Sequence, residues 1–116
     1  MPYEENDTEA LGAEQGDISG AVLIDVRRPP AFALAQHMLP GAAWHDPQAV
    51  SEWAPGLDAA RPVVVYCVHG HEVSRNAARQ LCALGLQARF LRGGFEAWKE
   101  ARLPLVDKSA AIARGE

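Results

Sequence analysis

Cysteine is scarce in this sequence, and long apolar runs are missing from it. The 116 residues include two cysteines, Cys67 and Cys82, and no Cys-x-x-Cys pair of the kind that binds metals. No apolar run approaches the length that crosses a bilayer, and the amino terminus lacks the basic and apolar segments of a secretory signal. We therefore expect a cytoplasmic protein with no membrane partner.

Basic residues are absent from the start of the chain. Residues 1–17 contain six acidic side chains and no lysine or arginine, so the rest of the chain carries eleven basic and nine acidic side chains within a net charge of −4. This mildly positive balance slightly favours small anionic substrates. No basic stripe of the kind that nucleic acids require is present, so we expect no nucleic-acid partner.

Strand-like and helix-like segments alternate along the chain. With 116 residues and 48% hydrophobic content, the chain has enough apolar material for one modest core. Strands are predicted at 21–26, 42–44, 62–66 and 87–91, helices at 31–37, 73–84 and 95–101, and a helix or a pair of turns at 46–53. This alternation indicates a three-layer α/β domain with a mainly parallel sheet. We place the domain at 21–106. An acidic lead-in over 1–20, with a short helix at about 8–15, precedes it, and a tail over 107–116 follows.

One cysteine lies between the central predicted strand and the helix that follows it. The run 62–66 is apolar and β-branched, as in a strand buried on both faces of a parallel sheet. After the turn, apolar residues recur at helical spacing until Gly85, which suits the left-handed position after a helix. Cys67 therefore lies where a strand passes through a short polar loop into a helix.

This position favours a reactive cysteine. The first amides of a helix lack intrahelical partners, and the helix dipole adds partial positive charge there, so a thiolate is stabilised. Gly70 lets the backbone curl until several amides face one anion. A buried structural role is the alternative for Cys67, since free cysteines are often buried. We favour the reactive role for Cys67 and a packing role for Cys82, which lies within the predicted helix.

Polar residues also follow the predicted strand at 21–26. Asp25 and Arg27 can pair with each other or brace the neighbouring loops, and we favour this structural role over a catalytic one. His37 lies at the end of the next predicted helix. It can act as a general base or tie a loop to the backbone, and the second role is the commoner one for a histidine.

Four short motifs stand out along the domain. They are LIDVR at 23–27, HMLPGA at 37–42, VVVYCVHG at 63–70 and LRGGFEAW at 91–98. In this order and spacing they resemble a single-domain rhodanese, a sulfurtransferase fold, over nearly the whole domain. The resemblance implies a five-stranded parallel sheet with helices on both faces, in which Asp25 and Arg27 hold the scaffold near the site.

The resemblance also implies a reaction. Cys67 would take a sulfane sulfur from a small anionic donor such as thiosulfate or a persulfide. It would then pass the sulfur, as a persulfide, to a thiol, cyanide or a protein cysteine. The residues whose backbone amides would cradle the persulfide are Val68, His69, Gly70, His71, Glu72, Val73 and Ser74. This reaction needs no metal or organic cofactor.

The cysteine loop departs from the usual rhodanese pattern. Many members carry a basic residue directly after the cysteine and another near the end of the loop, where this chain has Val68 and Glu72 or Val73. The stretch from Cys67 to the glycine after the helix is one residue longer than the commonest form, so we expect a wider cradle. Glu72 should oppose thiolate formation and repel thiosulfate. Three nearby basic side chains can offset its charge, namely His69, His71 and Arg75.

Three alternative functions are open. Related cysteine phosphatases have an arginine six positions after the cysteine, where this chain has Val73, so phosphatase chemistry is disfavoured. A metal site at Cys67, His69 and His71 is chemically conceivable, but a tight loop directs its side chains apart. The third alternative is a catalytically idle rhodanese-like module that binds a partner or senses an oxyanion. The unusual loop favours a specialised partner, whereas Cys67 with Gly70 favours activity.

Overall fold

The computed structural model describes residues 11–109 as alternating strands and helices. The strands are β1 (Leu11–Ala13), β2 (Val22–Asp25), β3 (His37–Met38), β4 (Ala43–Trp44), β5 (Val63–Tyr66), β6 (Ala88–Leu91) and β7 (Val106–Asp107). The helices are α1 (Pro29–Leu34), α2 (Val50–Trp53), α3 (Glu72–Ala83) and α4 (Gly94–Glu100), with 3₁₀ turns at Gln15–Asp17, Pro47–Ala49 and Ala54–Gly56. None of the helices in this part of the chain has the length and apolar character needed to cross a bilayer.

Five of these strands form one parallel sheet in the order β1-β6-β5-β2-β4. At its centre, Val64 of β5 lies opposite Leu23 of β2 on one side and Arg89 of β6 on the other. All four residues of β5 are buried, as β-branched side chains covered on both faces should be. The predicted five-stranded, mainly parallel sheet is confirmed.

Helices cover both faces of this sheet because successive residues of β5 point to opposite sides. Val63 and Val65 belong to a core cluster that includes buried residues of α2 and α3. Val64 and Tyr66 belong to a second cluster, which includes Trp98 of α4. The predicted three-layer α/β arrangement is therefore also confirmed.

The fifth strand comes from the acidic start of the chain. A helix is predicted at about 8–15, but Leu11–Ala13 is a strand that pairs with residues 89–91 at the edge of the sheet. The helix prediction is wrong for these residues, and 8–10 lie outside the described part. Ala13 is fully buried in the second core cluster, so pairing with β6 and burial override the acidic local composition. The sheet thus includes residues before 21, the predicted start of the domain.

The first helix is shifted from its predicted position. It spans Pro29–Leu34 rather than 31–37, because proline is well suited to the first turn of a helix, where the missing N–H costs nothing. His37 consequently lies in β3 and not in a helix. β3 pairs antiparallel with Val106–Asp107, so the first residue of the predicted tail takes part in a small second sheet.

Candidate active site

Cys67 follows β5 directly, at the carboxyl edge of the parallel sheet. It is 4% exposed, yet it lines a pocket of about 260 Å³. The loop after β5 and the segment after β2 supply the lining: Arg27, Arg28, Ala31, Cys67, Val68, His69, His71, Glu72 and Val73. β2 and β5 are adjacent and parallel, so their carboxyl ends meet at one edge, where such sheets commonly bind ligands.

The backbone amides that follow Cys67 have no acceptor in the part of the chain that the structure describes. Within residues 11–109, none of the seven amides from Val68 to Ser74 donates a hydrogen bond to another protein group. The first amide to do so is that of Arg75, whose N–H donates to the carbonyl oxygen of His71 at 3.1 Å. Unpaired amides at the start of a helix, in a loop that curls at a glycine, form a ready binding site for an anion.

Helix α4 fixes the direction of the first two peptide groups of the loop. The N–H of Phe95 donates to the carbonyl oxygen of Cys67 at 2.8 Å. The N–H of Glu96 donates to the carbonyl oxygen of Val68 at 2.9 Å. The described chain has no cis peptide bond, and in a trans peptide the N–H points opposite to the C=O. The amides of Val68 and His69 therefore point away from α4.

Two glycines allow this close approach. Gly70 has a φ of +74°, and a Cβ there would lie 2.6 Å from the backbone nitrogen of Gly93. A Cβ on Gly94 would lie 2.5 Å from the carbonyl oxygen of Cys67. Because neither contact can be relieved by rotating a side chain, both positions require glycine. The Gly93-Gly94 pair at the start of α4 is thus part of the support of the cysteine loop.

Ser74 adds a side-chain contact to the thiol. The Sγ–H of Cys67 donates to Oγ of Ser74 at 3.2 Å, and Ser74 is fully buried. The sequence predicts a role for the backbone of Ser74 alone, so this hydroxyl contact was missed. The sequence feature that could have predicted this contact is a serine in the first turn of the helix that begins beside the cysteine.

Asp25 and Arg27 form a buried ion pair. Nη2 of Arg27 donates to Oδ2 of Asp25 at 2.6 Å and to the carbonyl oxygen of His37 at 2.9 Å. The hydroxyl of Tyr66 donates to the same Oδ2 at 3.1 Å and accepts from the N–H of Leu39 at 3.2 Å. Burial raises the pKa of Tyr66, and the charge of Asp25 raises it further, so this hydroxyl stays protonated. The network ties β2 and β5 to the segment around β3.

Comparison with known proteins identifies the family of this chain. Residues 8–101 match the family model of the rhodanese-like domain. The chain belongs to the rhodanese family. The thiosulfate sulfurtransferase GlpE of Pseudomonas fluorescens is 36% identical over 81 residues, which cover 69% of this chain and 72% of that protein.

Solved structures of other proteins agree with this chain in fold. A rhodanese-related protein from Thermoplasma volcanium superposes with a TM-score of 0.72 at 23% identity, over 83% of this chain and 97% of that one. A protein from Rhodopseudomonas palustris described as a possible tyrosine phosphatase superposes with a TM-score of 0.73 at 22% identity, over 89% of each chain. At these identities the likeness concerns the fold alone.

His37 does not line the Cys67 pocket of this rhodanese domain. Its Nε2 lies 3.5 Å from Oδ1 of Asp107, and its carbonyl oxygen accepts from Arg27. It borders an adjoining pocket, which shares Arg27, Ala31 and Val68 with the first. The imidazole of His37 thus contacts another side chain and not the backbone, and the two roles that the sequence left open stay predictions.

Arg75 also lies outside the lining of the Cys67 pocket. Its Nε donates to the carbonyl oxygen of Gly70 at 3.5 Å, and its guanidinium lies 4.8 Å from the centre of the Phe90 ring. Arg75 therefore braces the loop from the side of α3. The sixth position after Cys67 is Val73, so the loop of this rhodanese domain presents no arginine to a phosphoryl group.

The metal alternative has no geometric support in the described part of this rhodanese domain. Between residues 11 and 109, no three side chains among histidine, cysteine, aspartate and glutamate are placed to hold a metal ion together. The rings of His69 and His71 are tilted against each other, with their centres 6.1 Å apart.

The pocket is also lined by a basic side chain, that of Arg28, to which the sequence analysis assigned no role. Arg28 is exposed and lines the pocket together with Arg27. The signal for it lay in its position directly after Arg27, since the segments that follow adjacent parallel strands share one edge of the sheet.

Proposed function

We propose that this chain, a rhodanese-type sulfurtransferase, carries sulfur as a persulfide on Cys67. The observation that carries the proposal is the position of Cys67. It borders a pocket, and seven amides without a protein acceptor within residues 11–109 follow it directly. The name of the Pseudomonas relatives, thiosulfate sulfurtransferase, supports the same class of reaction.

In the first half-reaction, the Cys67 thiolate attacks the outer sulfur of a donor such as thiosulfate. The S–S bond of the donor breaks, and sulfite leaves with the bonding electrons. Cys67 then carries the outer sulfur as a persulfide anion. Two separate half-reactions of this kind predict ping-pong kinetics.

The loop amides supply the electrostatic stabilisation of this intermediate. The amides of Val68 and His69 point away from α4, which leaves them available to an anion on the other side of the loop. The buried hydroxyl of Ser74, 3.2 Å from Sγ of Cys67, can rotate to donate to the thiolate. Preorganised donors of this kind need no rearrangement when the charge forms.

In the second half-reaction, a nucleophile removes the outer sulfur. An acceptor thiolate attacks that sulfur and becomes a persulfide, and Cys67 returns to its thiolate form. Cyanide or a cysteine of another protein can react in the same way. These two half-reactions use no metal or organic cofactor. The cytoplasmic location stays a prediction.

Thiosulfate is the donor that the relatives' name suggests, but Glu72 lines the pocket of this chain. Its carboxylate opposes the approach of a doubly charged anion. A persulfide donor carries less charge and meets less repulsion. We therefore include both donors in the proposed substrate class.

The proposal is tested by loading the protein with sulfur and locating it. The wild type, Cys67→Ser and Cys82→Ser are incubated with thiosulfate or with a small-molecule persulfide, and each intact mass is recorded before and after addition of cyanide. We expect one added sulfur on the wild type and on Cys82→Ser, none on Cys67→Ser, and its removal by cyanide. Added sulfur located at Cys82 by peptide mapping would contradict the assignment.

The rival function, an idle rhodanese-like binding module, predicts a different result. Such a module takes up no sulfur from either donor, although it remains folded. Failure of the folded wild type to load with both donors would therefore reject the persulfide mechanism and favour the binding module.

A further inference from the structure

Two arginines line the Cys67 pocket within residues 11–109, and neither comes from the cysteine loop. They are Arg27 and Arg28, and no lysine in this part of the chain lines the pocket. The loop contributes Glu72 instead, and Arg75, the arginine of α3 that follows the loop, lies outside the lining. Apart from His69 and His71, the basic side chains that a negatively charged donor meets in the described lining of this pocket are therefore those of the segment that follows β2.

Arg28 is available to a ligand. It is exposed, its side chain does not cap α1, and within residues 11–109 it takes part in no hydrogen bond or ion pair through its guanidinium. A guanidinium presents donors in a planar fork that matches the oxygens of a sulfonate.

In the part of the chain that the structure describes, two nitrogens of the Arg27 guanidinium donate hydrogen bonds to other protein groups, but the third does not. Its Nε and Nη2 donate to Asp25, and Nη2 also donates to the carbonyl oxygen of His37. Its Nη1 has no acceptor among the described residues. In that same part of the chain, the only fully enclosed side-chain nitrogen or oxygen without a partner is Nε of Arg89. Nη1 of Arg27 is therefore accessible, on a residue that is 2% exposed and lines the pocket.

We propose that Arg28, assisted by Nη1 of Arg27, binds the anionic group of the sulfur donor across the pocket from Cys67. The inference rests on the proposed function and specifies which residues select the donor. For thiosulfate, Arg28 and Arg27 bind the sulfonate oxygens while the outer sulfur faces the thiolate of Cys67. Arg28 also offsets the charge of Glu72, which lines the same pocket.

The test compares charge removal at Arg28 with the same change elsewhere. Arg28→Gln and Arg28→Lys are assayed for kcat and KM with thiosulfate at a fixed concentration of cyanide, beside the control Arg61→Gln. Arg61 is exposed and precedes the amino end of β5, at the opposite edge of the sheet. We expect Arg28→Gln to raise the KM for thiosulfate about tenfold with kcat changed less than threefold. Arg28→Lys should recover part of the loss, and Arg61→Gln should match the wild type.

Sulfate and Arg27→Lys extend the test. Sulfate, an unreactive oxyanion, should inhibit the wild type competitively against thiosulfate, and its inhibition constant should rise in Arg28→Gln by the same factor as the KM. Arg27→Lys keeps a cation beside Asp25 but lacks Nη1, and once circular dichroism shows it folded it should also raise the KM.

The possible failures are distinguishable. If thiosulfate and a persulfide both fail to load Cys67 of the wild type, the proposed function fails and the donor subsite with it. If the wild type loads but Arg28→Gln and Arg61→Gln have the same KM for thiosulfate, the subsite is wrong and the persulfide mechanism stands.

Discussion

Oγ of Ser74 lies 3.2 Å from Sγ of Cys67, and both residues are buried. When the thiol ionises, the hydroxyl can reverse its role and donate to the sulfur, because a hydroxyl both donates and accepts. A hydrogen bond to a charged group contributes about 1.5–3 kcal/mol. Ser74 is thus expected to matter more to the reactive thiolate than to the resting thiol.

Replacing Ser74 with alanine tests this expectation. We expect Ser74→Ala to slow sulfur transfer from thiosulfate roughly ten- to hundredfold and to slow alkylation of Cys67 by iodoacetamide, since both reactions use the thiolate. The exposed Ser51 on α2 provides the control Ser51→Ala. Unchanged alkylation of a folded Ser74→Ala would show that the hydroxyl does not stabilise the thiolate.

Glu72 begins α3 and lines the pocket. We expect Glu72→Gln to raise kcat/KM for thiosulfate about two- to fivefold at low salt, because it removes a partly screened negative charge from the path of an anionic donor. The gain should shrink as the ionic strength rises. Glu52→Gln, which changes an exposed glutamate on α2, serves as the matched control. An equal or lower rate in a folded Glu72→Gln would count against the repulsion.

Gly94 lies where α4 contacts the cysteine loop. A Cβ at this position would lie 2.5 Å from the carbonyl oxygen of Cys67, and its φ is +60°. We expect Gly94→Ala to lower the free energy of unfolding by about 2–4 kcal/mol in urea titrations, from the clash and the backbone strain together. Gly56→Ala is the control, since a Cβ there meets no atom within 4 Å and its φ is not positive. Equal stabilities of the two variants would refute the packing argument.

His45 gives the fold a pH dependence. Burial lowers the pKa of His45 below its ordinary value of 6.5, and its ring stacks on Trp53 with centres 4.7 Å apart. The unfolded chain therefore binds this proton more tightly than the folded chain, so the contribution of His45 to stability is lost as the pH falls below 6.5. His45→Gln should lose less stability than the wild type between pH 7.5 and 5.5 in thermal unfolding. Parallel losses in both proteins would show that His45 does not titrate this way.

The central unit of the fold could be read from the sequence because its signals are local. The β-branched run of β5, the helical spacing after it and Gly85 all act over a few residues, and α3 and α4 lie within one residue of their predicted bounds. β1 could not be read in this way. Its three residues stand in an acidic stretch and become a strand only by pairing with β6, far along the chain.

The candidate site also has features that follow from the local sequence and features that depend on the fold. The position of Cys67 and its loop follows from the strand, the glycine and the helix start. The contact with Ser74 depends on how the loop curls, and the position of Arg28 depends on two strand ends that meet in space. Spacing along the chain carries neither piece of information.

The attachment of the cysteine loop to α4 involves only the first half of the loop. The carbonyl groups of Cys67 and Val68 are both held by amides of α4, and Gly70 lies against Gly93. Residues 71–73 make no backbone hydrogen bond to α4 within the described part of the chain, although all three line the pocket. Substitutions at residues 71–73 are therefore expected to change the shape of the pocket entrance while the half of the loop that α4 holds keeps its conformation.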